Sequence, residues 1–321
     1  MKKQKELLLH IGYHKTGTSF LQKKIFTDQK LGFCSPADRF ELRNAFIRTS
    51  PFDFNPDAVR SKFMPGVQAA LDQGLVPVLS HEQFSGQPQG GGYGVRIRDR
   101  EASRKEVADR LKICFPNAII LIVIREQRDM IRSIYKYLTC GWHGKLSATI
   151  DEFLDVSPLE DGYSPLFHFS YLYYHQVIQY YQSLFGMESV LVLPFEWLRD
   201  KPELYINQLL SFVTLKQIQT VDNQILNKGF SAATAQFRRV MNRLVVSPNK
   251  PGKLNRAERV LKKATDTVNG LIPAPIHNYA ESKLIEKIEQ LTVGKFTESN
   301  QITMKLTKLN LAGLNYETDG Y

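Results

Sequence analysis

One stretch near the N-terminus constrains the fold more than any other. It reads Leu7-Leu8-Leu9-His10-Ile11-Gly12-Tyr13-His14-Lys15-Thr16-Gly17-Thr18-Ser19-Phe20. Residues 7–11 are mostly apolar and stop at Gly12, which predicts a short buried strand. After a turn of small residues, Leu21, Ile25 and Phe26 recur at helical spacing. Strand, glycine turn and helix in that order build a cradle for an anion. Glycine lets the backbone bend so that several N–H groups converge, and the helix N-terminus adds partial positive charge.

The turn is close to the Walker pattern G-x-x-x-x-G-K-[ST] and departs from it at one position. Gly12 and Gly17 have the right separation, and Ser19 stands at the Ser/Thr position. The lysine is displaced: Thr18 holds its place and Lys15 lies three residues earlier. NTP chemistry needs that lysine on the β/γ-phosphates and an Asp after a second buried strand for Mg²⁺.

The second anchor is Ala118-Ile119-Ile120-Leu121-Ile122-Val123-Ile124, an unbroken apolar run that predicts a central parallel strand covered on both faces. It ends in Arg125, not Asp. A cation there cannot hold Mg²⁺ but suits a second phosphate. Ile131, Ile134, Tyr135 and Leu138 then space out a helix that carries Ser133, eight positions after Arg125.

At these two stretches the sequence resembles the sulfotransferases that use 3′-phosphoadenosine 5′-phosphosulfate (PAPS). Their K-[TS]-G-T-[ST] loop holds the 5′-phosphosulfate, and Lys15-Thr16-Gly17-Thr18-Ser19 matches it. Their Arg after a buried strand, with a Ser eight residues on, holds the 3′-phosphate; Arg125 and Ser133 match that pair. The loop wording is closer to the carbohydrate and bacterial branches than to the small-phenol branch. The resemblance implies a P-loop-like three-layer α/β/α fold with a parallel sheet. It implies PAPS as co-substrate, adenosine 3′,5′-bisphosphate as product, and cofactor contacts from Lys15 through Ser19 and Phe20. Lys228-Gly229 resembles the [RK]-K-G element that closes over the 3′-phosphate, except that Asn227 replaces the first basic residue. Phe195-Glu196-Trp197-Leu198-Arg199-Asp200-Lys201-Pro202 resembles the family's [YF]-E-x-L-x-x-x-P segment.

Length and charge set outer bounds. The 321 residues suit one large α/β domain, with a nucleotide core over about 7–213 and a mostly helical, basic region over about 214–321. The net charge of +10 favours an anionic cofactor or acceptor. Cys34, Cys114 and Cys140 have no metal-ligand spacing, which fits a reducing compartment. No apolar stretch reaches the ~18 residues of a membrane span. Golgi sulfotransferases carry an N-terminal anchor, so the expectation is a cytoplasmic enzyme.

Further expectations follow along the chain. Residues 28–66 show no clear period and read as short helices and loops. Leu75–Leu79 reads as a strand weakened by Pro77. The glycine-rich stretch 85–94 reads as a surface loop or lid. The aromatics of 166–185 read as core packing. Segment 228–263 holds ten Lys/Arg against one acid, Glu258, with helices flanking a loop at 247–253. It suits contact with an anionic acceptor or membrane surface.

Sulfuryl transfer needs neutralised charge on the bridging oxygen, an aligned acceptor and a base for a hydroxyl proton. Lys15 is the expected neutraliser, and no metal is required. His10 reads as a core histidine and His14 has no identifiable partner. His81 and Glu82 compete as base at the end of the second strand, where neighbours point to opposite sides. Histidine suits neutral pH without tuning. The S-H-E-x-F wording resembles bacterial relatives in which Glu is fixed, which favours Glu82. The acceptor is expected to be a carbohydrate, glycolipid or small molecule offering a hydroxyl or amine. A P-loop kinase is disfavoured by Thr18 and Arg125, and a nucleic-acid-binding protein by the absence of an RNA-binding signature.

Overall fold

A computed structural model describes residues 6–87, 103–141, 144–155, 166–219, 229–245 and 256–319. Five strands form one parallel sheet: β1 (Leu8–Gly12), β2 (Phe33–Cys34), β3 (Val76–His81), β4 (Ile119–Ile124) and β5 (Val190–Pro194). Their order is β2-β3-β1-β4-β5. The two predicted anchors are therefore neighbours, with Leu8 beside Ile119 and Gly12 beside Val123.

Alternation along the strands splits the core in two. Leu9, Ile11, Ile120, Ile122 and Ile124 point to the larger face. That face is covered by α3 (Pro56–Asp72), α4 (Arg104–Cys114), α5 (Gln127–Cys140) and α7 (Tyr174–Phe185), as shown by Phe63, Leu111, Ile131 and Ile178. Leu8, Val78, Leu121 and Val123 point the other way, onto α1 (Thr18–Phe20) with its wider continuation Leu21–Ile25 and onto α9 (Pro202–Phe212). This is the expected three-layer α/β/α fold. Both faces being covered explains why the strands carry no polar alternation. The C-terminal region is helical as expected: α10 (Ala232–Val245), α11 (Arg256–Leu271), α12 (Ala274–Thr292) and α13 (Thr297–Thr307).

One local expectation needs correction. Residues 28–66 contain most of α3, a 17-residue helix. Asn55 caps it by accepting from the Ala58 N–H (3.0 Å), and Pro56 takes the first position, where a missing N–H is harmless. Its buried stripe is thin, Phe63, Val67 and Ala70, and the last two lie beyond residue 66. The strand expected at Leu75–Leu79 is β3: Pro77 lies opposite Cys34 of the two-residue edge strand β2, and pairing with β1 begins one residue later, at Leu8 beside Val78.

The aromatic stretch is core, as expected. Phe167, Phe169, Tyr171, Tyr174 and Tyr181 are buried. Most of the glycine-rich stretch and the loop 247–253 lie outside the described residues. Among the described residues no helix is long and apolar enough to cross a membrane.

Candidate active site

The C-terminal ends of parallel strands are where open α/β sheets place ligand chemistry, and here β1, β3 and β4 each deliver a candidate. The loop after β1 is shaped by two left-handed residues, Lys15 (φ 65°) and Gly17 (φ 76°). A side chain at Gly17 would also collide, since an added Cβ would lie 2.7 Å from Leu198 Cδ2. Lys15 adopts this conformation without glycine's freedom, a local strain of the kind held at functional sites. The first helical bond is donated by the Phe20 N–H to Gly17 O (2.9 Å). The N–H groups of Gly17, Thr18 and Ser19 precede it and face the cradle as a helix N-terminus does.

The hydroxyls of the loop do not all face the same way. Thr16 is fully buried, and its hydroxyl donates to Tyr13 O at 2.6 Å. It braces the loop; Thr18 and Ser19 remain the hydroxyl candidates. His10 is core, as expected: its Nδ1 lies 2.7 Å from Ser80 Oγ, and Gln22 donates to the same oxygen (3.0 Å). Burial pushes its pKa down to about 3. His14 does have a partner. Its Nδ1 lies 3.1 Å from the Tyr171 hydroxyl.

Arg125 leaves β4 and turns back onto the loop, donating from Nη1 to Lys15 O at 2.9 Å. Its guanidinium sits 4.9 Å from the Phe195 ring centre and 3.7 Å from Asp129. The Tyr174 hydroxyl donates to Arg125 O (2.6 Å), which fixes the strand end. Arg125 Nε is buried and, among the described residues, has no partner. A buried charged donor left open costs stability unless a ligand meets it. Lys15 stands exposed with Nζ 4.6 Å from the Tyr137 ring centre. Desolvation by its surroundings, with the charges of Arg125 and Lys136, lowers its pKa from the ordinary lysine value.

Ser133 lies on α5 between these two cations. Asp129, four residues before it, touches Arg125; Tyr137, four residues after it, touches Lys15. Residues four apart share a helix face, so Ser133 presents to the same side. Lys136 on this helix pairs with Glu281 (2.7 Å), which also accepts from the Ala232 N–H (3.0 Å). That bond brings the start of α10 to α5. Gly229 lies three residues before Ala232; it is exposed, and an added Cβ would meet nothing within 4 Å. Lys228 lies outside the described residues.

The segment after β5 forms α8 (Phe195–Asp200). Phe195 underlies Arg125, and Leu198 closes on Gly17. Glu196 is buried and accepts from the Glu126 N–H (2.9 Å) and the Tyr316 hydroxyl (3.1 Å). Burial raises its pKa. Glu126 in turn caps α5, accepting from the N–H groups of Arg128 and Asp129. The residue pair after each strand end thus locks the other.

At β3, His81 and Glu82 do diverge: His81 is 2% exposed, whereas Glu82 is half-buried. His81 Nδ1 accepts from the Gln83 N–H (3.0 Å), and burial lowers its pKa to about 4. A neutral ring that accepts at Nδ1 carries its proton on Nε2, so neither nitrogen is open to take another. Glu82 pairs with Arg39. Burial works to raise its pKa, but His81, Arg39 and a backbone hydrogen bond oppose this and hold it below the ordinary glutamate value. Arg39, Tyr137, Asp129, Tyr171 and Tyr174 have no local sequence signal as site residues, and Phe195 was legible only as part of the segment after β5; the fold brings them to the site.

No protein-family model matches the chain, and no curated protein matches it. Solved structures do. A sulfotransferase from Alicyclobacillus acidocaldarius is 18% identical, with 70% of this chain and 86% of that chain covered and a TM-score of 0.48. A mouse sulfotransferase complexed with PAP is 14% identical, with 94% and 87% covered and a TM-score of 0.41. The sulfotransferase domain from the curacin biosynthetic pathway is 10% identical, with 82% and 98% covered and a TM-score of 0.38. All three are sulfotransferases.

Proposed function

We propose that this chain transfers the sulfuryl group of PAPS to a hydroxyl or amine of an acceptor, releasing adenosine 3′,5′-bisphosphate. The observation that carries the proposal is the meeting of Arg125 with the Lys15 loop across neighbouring strands. Two anion sites stand side by side, and a guanidinium occupies the strand end where Mg²⁺-dependent phosphoryl transfer needs a carboxylate. The open Nε of Arg125 and the cradle at Gly17 fit a ligand with two separate phosphate groups.

In this reading the backbone of 17–19 and the Thr18 and Ser19 hydroxyls hold the 5′-phosphosulfate. Arg125 and Ser133 hold the 3′-phosphate, with Lys228 and Gly229 completing it. The acceptor oxygen forms a bond to sulfur while the bond from sulfur to the bridging phosphate oxygen breaks. Lys15 swings from Tyr137 to the bridging oxygen, where negative charge grows. Glu82 takes the acceptor proton, because His81 lacks an open nitrogen. The loop wording supports a carbohydrate or glycolipid as acceptor.

Calorimetry with adenosine 3′,5′-bisphosphate, adenosine 5′-monophosphate and Mg-ATP tests this directly. The bisphosphate should bind at least tenfold more tightly than the other two. Preference for Mg-ATP would assign the site to a kinase and sink the proposal. Labelled PAPS with fractionated extract then identifies the acceptor class by which fraction takes up label.

A further inference from the structure

Segment 228–263 has a basic sequence, but the fold sorts its charges. Arg238 is buried and donates to Thr265 Oγ1 (3.1 Å) and Gly144 O (3.3 Å). Glu258, the segment's single acid, is buried against Lys145 (2.9 Å). With Thr234 donating to Asn269 (2.8 Å), these bonds make α10 and α11 an antiparallel pair fastened along one side. What remains outside is different in kind. On α10, Phe237, Val240 and Leu244 recur at positions i, i+3 and i+7 and are 38%, 51% and 77% exposed. Arg243 lies beside them, 3.6 Å from the exposed Glu152. On α11 the outer face carries Arg256, Arg259 and Lys263 around Val260, which is 62% exposed; Asp266 is the one acid there.

We propose that the outer faces of α10 and α11 dock on an anionic lipid surface. An apolar stripe bordered by cations is the pattern of a helix that lies in a headgroup layer, its aliphatic side chains entering the acyl boundary. The alternatives fit less well. Nucleic acid uses cations and stacking aromatics, and gives no place to Val240, Leu244 and Val260. A second copy meeting this face about a two-fold axis would set the same cations against each other.

The test is flotation of the full chain with vesicles at about 0.1 M salt. One set is pure phosphatidylcholine; the other contains about 30% phosphatidylglycerol. The chain should float with the anionic set alone and be released in large part by about 0.5 M salt. Leu244→Asp with Val240→Ser should reduce flotation by about tenfold or more, and Arg256→Gln with Arg259→Gln should do the same. The second pair keeps the test decisive should the first unfold. Bisphosphate binding should be unchanged in both pairs, so the two proposals fail separately. Absence of flotation by the wild type overturns the inference. So does equal flotation with neutral vesicles, salt-sensitive RNA retention without flotation, or a dimer that Leu244→Asp dissolves.

Discussion

At the residue scale, the site depends on which atoms are already engaged. Among the described residues Lys15 is held by an aromatic face and not by a carboxylate, which leaves its ammonium free to move in the proposed transfer. Lys15→Ala should lower kcat by about 10²–10³-fold while shifting bisphosphate affinity much less. Steady-state kinetics beside calorimetry separates the two effects; activity within a few-fold of wild type would remove Lys15 from the mechanism. Arg125 differs, because its partners are fixed in the free protein. The preference for the 3′-phosphorylated nucleotide should be worth at least ~2 kcal/mol and mostly close in Arg125→Ala. An equal loss for both nucleotides would show that Arg125 only props up the loop. For the base, Glu82→Gln should abolish most turnover with a hydroxyl acceptor. His81→Asn, which can keep the acceptor role toward the Gln83 N–H, should retain it. The reverse pattern in the same assay reverses the assignment.

At the element scale, the loop after β1 is shaped as much by α8 as by its own glycines. Gly17 combines a left-handed backbone with Leu198 packed where a Cβ would go. Gly17→Ala should therefore cost more than ~1 kcal/mol in chemical denaturation and weaken nucleotide binding. Adding Leu198→Ala should recover part of this loss by relieving the contact, and the backbone strain should remain. If the double variant is no better than the single, the contact with α8 is not what shapes the loop. Tyr171 acts similarly from the opposite side, its hydroxyl reaching His14 (3.1 Å) and Ser85 (3.5 Å). A stretch of aromatics chosen for packing thus also holds the loop in place.

At the scale of the whole molecule, burial of ionisable groups on the sheet's inner strands makes stability depend on pH. His10 and His81 are both buried, with pKa values lowered to about 3 and about 4 from 6.5. A lowered histidine pKa means that the unfolded chain binds protons which the native chain refuses. The stability from these groups is complete above pH ~6.5 and is lost as pH falls toward ~4. Each group contributes a slope of about 1.4 kcal/mol per pH unit in that window. Urea denaturation between pH 6.5 and 4.5 should show the loss, and His10→Asn should reduce the slope by about one such increment. An unchanged slope would mean that His10 takes up its proton without unfolding. The C-terminal region is fastened to the start of α5, where Asn300 pairs with Gln127 and Glu317 with Arg128.

The sequence by itself determined the elements whose signal is local. Apolar runs, unbroken in β4 and interrupted only by His10 in β1, marked these strands, because a strand buried on both faces needs no polar alternation. The loop after β1 was legible in its glycines and its displaced lysine, and Arg125 in its place after a buried run. The charge of 228–263 was legible too, but not its sorting. Which cations turn inward depends on partners such as Thr265 and Gly144, far away in sequence. α3 was obscured because a helix lying on the surface buries only a thin stripe and tolerates polar residues elsewhere. How His81 is engaged also belonged to tertiary structure. Intrinsic pKa values favour histidine, yet the turn after β3 occupies its Nδ1, and packing makes the ring neutral. Phe195 under Arg125 and Leu198 against Gly17 could arise only when β5 took its place beside β4. Local pattern specifies which way a chain turns; contacts between distant segments decide which atoms are left open for chemistry.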